Sequence, residues 1–288
     1  MSSDFSNWLA LREAADFASR SQRLTELVAD RFADATSIRV LDLGTGTGSN
    51  LRFLIEHLPA VQHWTVVDRD ASLLTDLHAR TAAWAGPRGL ELVRTESGFV
   101  IRGESLECHV EPTQRDLNSI ADRALFAGQQ LVTASALLDL VSESWLRALA
   151  TECRTAGAVA LFTITYDGRS PCAPADPDDD IVRALFNRHQ RADKGLGGPA
   201  AGPDAAAKAP KALADAGFRV ERERSDWVIE PDARELQRQL IEGWAMAATE
   251  MAPEIALQIA NWRLRRLHHV DQGGSLIVVG HEDMAALR

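Results

Sequence analysis

The chain has 288 residues, 45% of them hydrophobic and 25% charged, with a formal net charge of −10. That length buries a full core, as one large α/β domain or a domain with a cap, and the composition is that of a globular chain rather than a disordered one. The acidic balance argues against nucleic-acid backbone binding as the main task, although an acidic RNA-modifying enzyme stays open.

The N-terminus, MSSDFSNWLALREAADF, carries acidic residues early and no uninterrupted apolar core, which is not the pattern of a signal peptide. From Trp8 to Phe32 the apolar positions predict a helix that packs on the sheet or folds over a ligand mouth. The first strand is expected at Ile38 to Leu43, an apolar run with β-branched residues that reads as a buried parallel strand. Three alternating glycines follow, Gly44, Gly46 and Gly48, and then an amphipathic helix from about Asn50 to Leu58. Strand, glycine loop and helix together form the opening unit of a doubly wound sheet, with its ligand site at the strand's carboxyl end.

A second strand is expected at His63 to Val67, ending at Asp68, and a helix from Ser72 to about Trp84 that Gly86-Pro87-Arg88-Gly89 stops. Leu90 to Arg102 against Ser105 to Val110 reads as a hairpin whose second arm becomes strand three and ends at Asp116-Leu117. A short helix at Ser119 to Phe126, strand four at Gln130 to Ala134, a helix at Glu143 to Thr155 and strand five at Ala158 to Thr165 continue the alternation. After Gly168 the pattern breaks. A helix at Ile181 to Arg191 precedes a Gly/Ala/Pro-rich loop or lid, Lys194 to Pro210. A helix to Ala216, a strand over Phe218 to Ile229, helical sequence over Pro231 to His269 broken near Pro253, and a last strand at Ser275 to Val279 complete the chain. The expected fold is α/β, a doubly wound, mostly parallel seven-stranded sheet with helical cap insertions. The core spans 36–169, 211–230 and 271–288, and the cap spans 1–35, 170–210 and 231–270. Cys108, Cys153 and Cys172 are odd in number and lack both metal-ligand spacing and a disulfide framework. No stretch approaches about 18 consecutive apolar residues, so no membrane span is expected and a cytoplasmic setting is the default.

The glycine spacing separates two ligand classes. A dinucleotide site wants G-x-G-x-x-G, and the position that needs its third glycine is Ser49. Asp42, two residues before the loop, repels a pyrophosphate but suits an ammonium or sulfonium. Asp68, 20 residues beyond Gly48, can accept hydrogen bonds from both ribose hydroxyls. The helix-cap role there is better filled by Asp70 or Ser72. Asp116 can accept from an adenine amino group while Leu117 packs on the ring, or it can cap the next helix.

The segments VLDLGTGTGSN, VVDRD, RDLN and TASALLDLVS, each at a successive strand end, resemble the class I S-adenosylmethionine-dependent methyltransferases over about Ile38 to Tyr166. The resemblance implies S-adenosyl-L-methionine as cofactor. It implies Asp42, Gly44, Thr45, Gly46 and Gly48 around the methionine moiety, Asp68 at the ribose, Asp116 and Leu117 at adenine, and Ala134 and Ser135 beside the sulfonium, with Arg69 as a further cofactor-binding residue. Arg20, on one helix face with Arg12 and Asp16, is expected to close over the cofactor's carboxylate, or to belong to a surface ion-pair ladder.

Methyl transfer needs alignment in a dry pocket and, for an O or N nucleophile, a base. Asp139, Tyr166 and His189 are the catalytic candidates, each with an ordinary alternative as a turn cap, a wall residue or a surface histidine. The expected reaction is methyl transfer to a small, apolar or aromatic molecule. No nucleic-acid or membrane partner is expected. Trp8, Trp244, Trp262, Met246 and Met251 either enclose that molecule or form core or a homodimer contact. A nicotinamide-dependent oxidoreductase and a non-catalytic binding protein of the same fold are the alternatives. Asp176, Asp178, Asp179 and Asp180 read as a helix N-terminus rather than a metal site. The run Arg263, Arg265, Arg266, His268, His269 reads as a solvated helix end.

Overall fold

The computed structural model describes residues 2–288, with side chains from Phe5 onward. Helices α1 (Ser2–Ser19) and α2 (Gln22–Ala29) lead into β1 (Ser37–Leu43), α3 (Ser49–Leu54), β2 (Val61–Asp68) and α4 (Ala71–Ala85). There follow β3 (Glu91–Arg94), β4 (Phe99–Arg102), β5 (Glu107–Gln114), α5 (Arg123–Phe126), β6 (Leu131–Ser135), α6 (Glu143–Ala156) and β7 (Val159–Tyr166). The remainder comprises β8 (Cys172–Ala173), α7 (Asp179–Gln190), α8 (Ala205–Asp215), β9 (Arg219–Arg224), β10 (Trp227–Ile229), α9 (Arg234–Met251), α10 (Ala256–Asp271), β11 (Leu276–Val279) and β12 (His281–Leu287).

Among the described residues the main sheet has nine strands rather than seven, in the order β3-β4-β5-β2-β1-β6-β7-β12-β9. Strands β5, β2, β1, β6 and β7 run parallel, and β12 is antiparallel to both β7 and β9. The order reverses between β1 and β6, which opens a crevice at the strands' carboxyl ends. Alternation along β1 sends Ile38 and Val40 to one face and Leu41 and Leu43 to the other. The first face is covered by Leu24 and Val28 of α2, Leu51 and Leu54 of α3 and Leu77 of α4. The second is covered by Trp145, Leu146 and Leu149 of α6 and Leu213 of α8. A third core lies above the crevice, built by α7, α9, α10 and the small sheet β10-β11-β8. It is the cap.

Four sequence expectations change. The helix expected over Trp8 to Phe32 breaks at Arg20-Ser21, where the Ser21 hydroxyl accepts from Leu24 N and Ser21 N donates to Asp283. This leaves α1 over the crevice and puts α2 on the sheet, outside the cap. The arm Leu90 to Arg102 splits into β3 and β4 at Gly98, where a Cβ would stand 2.0 Å from the Val110 carbonyl. The stretch Phe218 to Ile229 changes sheets at Ser225-Asp226, and Asp226 is held there by Arg169 at 2.6 and 3.0 Å. Strand Ser275 to Val279 belongs to the cap, and β12 supplies the strand of the main sheet that was expected from it.

The arginine run is not a solvated helix end throughout. Arg266 is fully buried, donating to Asp179 and, at 2.6 Å, to the Pro174 carbonyl. Arg265 reaches Asp176 and Asp178. The acidic helix start therefore has arginine partners, which pin α7 against α10. Among the described residues no helix is long and apolar enough to cross a membrane.

Candidate active site

A cavity of about 610 Å³ fills the crevice and extends up into the cap. Its floor is the glycine loop. Gly44, Gly46 and Gly48 all take left-handed φ angles, 65°, 54° and 85°, a region costly for side chains with a Cβ. A Cβ on Gly48 would stand 2.5 Å from Leu77 Cδ1, so this glycine also lets α3 approach α4. Gly44 and Gly46 present bare backbone to the cavity, with Leu137 close to the first and Leu9 of α1 close to the second, and Arg12 also lines the cavity.

Asp68, at the end of β2, lines the cavity and accepts from Gly46 N at 2.9 Å and Asp70 N at 3.0 Å. One carboxylate thus fixes the loop and still has lone pairs for a hydroxyl-bearing ligand. Arg69 beside it donates to the Lys194 carbonyl at 3.4 Å, tying the mouth to the loop that carries Leu196 into the cavity. Leu73, Leu117 and Leu137 supply apolar surface, and Ser135 and Ala136 close the floor. Ala136 has φ +53°, unusual for a residue with a Cβ, and its N–H bonds the Thr163 carbonyl at 2.9 Å.

Several residues lie elsewhere than expected. Asp42 has no exposed surface and does not line the cavity, because alternation turns it to the same face as Ile38 and Val40, toward Asn50. Burial pushes its carboxyl up to about 6. Arg20 lies in the same buried network, donating to Asn50 Oδ1 at 2.6 Å and Ser135 Oγ at 3.0 Å. Its guanidinium stacks over Phe53. Both support the floor from below; Arg12 is the arginine of that helix face that reaches the cavity. Thr45 ties the loop to β2 through Val67 O at 2.9 Å, and Gly48 and Ala134 also lie outside the cavity wall. Asp116 accepts from Asn118 N at 2.9 Å and borders an open cleft that adjoins the cavity at Arg69 and Asp70, and of that pair Leu117 lines the cavity. His189 turns to Glu250 of α9, 3.2 Å away, and is absent from the wall.

The upper part of the cavity is aromatic. Phe186 meets both Trp244 (6.2 Å) and Tyr166 (5.7 Å), and His281 meets both Tyr166 (6.2 Å) and Trp227 (4.9 Å). Trp8 adds a further ring from α1. Ile164 and Tyr166 reach this wall through a bulge, in which Thr163 and Ile164 of β7 oppose Asp283 alone. Ile164 takes φ +56° there, and its N–H is held by Asp283 Oδ1 at 2.8 Å. His281, Trp227, Phe186 and Gln190 were not singled out from sequence. His281 lies one strand beyond the last one recognised, and Trp227 sits in an arm read as a single continuous strand.

No protein-family model and no curated protein matches the chain. Solved structures do resemble it. A methyltransferase from Geobacter sulfurreducens, described as dependent on S-adenosylmethionine and in complex with S-adenosyl-L-homocysteine, is 12% identical, covering 96% of this chain and 97% of that one with a TM-score of 0.44. A similarly described complex from Thiobacillus denitrificans is 14% identical, covering 96% and 97%, TM-score 0.41. A cyclopropane synthase from Mycobacterium tuberculosis is 11% identical, covering 91% and 82%, TM-score 0.45.

Two of the three catalytic candidates do line the cavity. Asp139 is 7% exposed, and burial pushes its carboxyl up to about 6 against the opposing pull of Arg12 and Lys194. It is therefore a carboxylate near neutral pH and a better proton acceptor than an exposed aspartate. The Tyr166 hydroxyl instead donates to Asn187 Oδ1 at 2.8 Å, and burial raises its pKa. Its ring forms wall, and its hydroxyl anchors α7. Tyr166→Phe is accordingly expected to cost about 1 kcal/mol of stability, read from the urea midpoint, and to leave turnover within a few-fold. A thousand-fold loss of turnover would return the hydroxyl to the chemistry.

Proposed function

We propose that the chain is a class I S-adenosylmethionine-dependent methyltransferase acting on a small molecule with an apolar or aromatic body, at an O, N or C nucleophile. The observation that carries this reading is the single cavity that joins the glycine loop and Asp68 below to the aromatic compartment above. Its volume suits small ligands, which occupy sites of roughly 300–1,000 Å³.

The residues present fit the cofactor. Bare backbone at Gly44 and Gly46 admits a close-packed chain, Asp68 offers acceptors to ribose hydroxyls, and Leu73, Leu117 and Leu137 suit a flat base. Arg12 replaces Arg20 as the cation for its carboxylate. When bound, S-adenosylmethionine supplies a methyl group on a positively charged sulfur, and the rest of the work falls to the chain. The floor at Ser135 and Ala136 sets the donor's depth, the aromatic wall excludes water and orients the acceptor, and Asp139 takes a proton from an O–H or N–H nucleophile. Asp116, Ala134 and Thr45 act as supports of the floor and mouth, and His189 has no part in this scheme.

The nicotinamide alternative loses support. A pyrophosphate sits on a helix N-terminus, yet Gly48, Ser49 and Asn50, which begin α3, do not line the cavity. The test is thermal stabilisation of the full chain by S-adenosylhomocysteine compared with NAD and NADP. Stabilisation by S-adenosylhomocysteine alone is expected, and stabilisation only by a nicotinamide dinucleotide would refute the assignment. We further propose α2, 36–169, 205–224 and the closing strand β12 as the cofactor core, α1, 170–204 and 225–280 as cap, and the cytoplasm as the setting.

A further inference from the structure

Two hydrogen-bonding tips of the aromatic compartment are used within the protein. The Tyr166 hydroxyl goes to Asn187 and the Trp227 indole N–H to Asp16 at 3.2 Å. The other Asp16 oxygen takes Arg12 Nε at 3.1 Å, and that guanidinium stands 5.4 Å over the Trp227 ring. The wall therefore offers a ligand flat hydrocarbon faces, and the protein's own cation already covers one of them. A cationic acceptor would have to approach Arg12, so the compartment is not shaped as a cage for an ammonium.

Two polar groups stand on this wall, one of them with an unpartnered ring nitrogen. Asp139 is buried on the cavity wall, where the backbone N–H groups of Asp139 and Tyr166 steady its carboxylate and leave lone pairs for a ligand. His281 is 5% exposed, and its Nδ1 has no hydrogen-bond partner. Desolvation, with Arg12 nearby, keeps the imidazole neutral, while Asp226 and Arg169 on the adjoining elements act in opposite directions. A neutral imidazole carries one donor and one acceptor. A buried polar atom left unpaired costs free energy, and a ligand that pairs His281 Nδ1 recovers it.

Resting on the methyltransferase reading, we propose that the acceptor is an uncharged, planar hydroxyarene or N–H heteroarene. It stacks between Trp244, Phe186, Tyr166 and Trp227, places its reacting O–H or N–H at Asp139, and places a second polar edge at His281. In the transfer, the reacting group gives its proton to the Asp139 carboxylate. The lone pair freed on oxygen or nitrogen forms the bond to the methyl carbon, and the electrons of the broken carbon–sulfur bond remain on sulfur.

The test titrates the full chain, saturated with S-adenosylhomocysteine, with 2-naphthol and 2-quinolone and separately with N,N-dimethylethanolamine and dodecanoate. Tryptophan fluorescence and calorimetry are read. The two flat probes are expected to bind at least about ten-fold tighter than the other two, and Trp244→Ala to weaken them by about ten-fold. His281→Phe keeps a flat wall without the ring nitrogens, and it should weaken 2-quinolone while stabilisation by S-adenosylhomocysteine persists. Equal or tighter binding of the amine or the fatty acid overturns the proposal, as does absence of binding by either flat probe. Failure of S-adenosylhomocysteine to stabilise the wild-type chain would instead remove the cofactor assignment, and a probe titration without it would still read the compartment.

Discussion

Replacing Asp68 with alanine is expected to weaken S-adenosylhomocysteine binding by about 100-fold or more, through roughly 3 kcal/mol of lost charge-assisted hydrogen bonding. The effect is large because this carboxylate has two tasks. It holds Gly46 N and Asp70 N, which shape the floor, and it faces the cavity where ribose hydroxyls would seat. Asp68→Asn separates the tasks. The amide oxygen can keep one backbone N–H, but the NH2 cannot accept from a hydroxyl, so affinity should fall further than the melting temperature. Isothermal titration of both variants decides it. Wild-type affinity in the alanine variant would remove Asp68 from the binding site.

Asp139→Asn should lower turnover by about 10²- to 10⁴-fold for an O–H or N–H acceptor while cofactor affinity stays near wild type, as expected for loss of a general base. The pH dependence has a definite sign. With the carboxyl pushed up to about 6, the base is ionised above that pH and protonated below it. The wild-type rate should therefore fall as the pH drops through about 6 and level off above it. Arg12 and Lys194 are the cations that act on this titration, and both favour the ionised form. A profile without an acid limb in the wild type, or with the same limb in the asparagine variant, would show that Asp139 does not take the proton.

The floor of the site was legible from sequence because its geometry is local. Three glycines at φ values that other residues avoid, and an aspartate closing the next strand, are written within a single strand–loop–helix–strand unit. Local pattern does not say which way a strand-end side chain points. Asp42 and Arg20 were placed against the ligand from their positions in the chain, and both lie one layer beneath it. Asp116 was given an adenine partner; it accepts from Asn118 N and faces the open cleft beside the cavity rather than the cavity itself. The ceiling was less legible. Trp244 is visible as a cap aromatic, but Phe186, Trp227 and His281 meet only through tertiary contacts between segments far apart in the chain. The nine-stranded sheet was read as seven for a related reason. The first arm of the hairpin hides the β3–β4 turn, and β12, with two acidic residues near its start, has no alternation to announce a strand buried on both sides.

The position of β12 also bears on how the protein is made. Strand β7 is buried along all eight residues, and its outer partner is β12. During synthesis, β7 must therefore wait with an open apolar edge while the whole cap, through α10 and β11, is translated. An unpaired edge of that kind invites pairing with other chains. Pairing across so long a separation is also slow, because loop closure precedes any gain from the contact. His281 arrives on that same strand, so the ceiling of the cavity and the closure of the sheet are completed in one late event. Substitutions that slow the insertion of β12, such as those at the Asp283 bulge, would then show first as lost soluble yield on expression, with the purified remainder still binding its ligands.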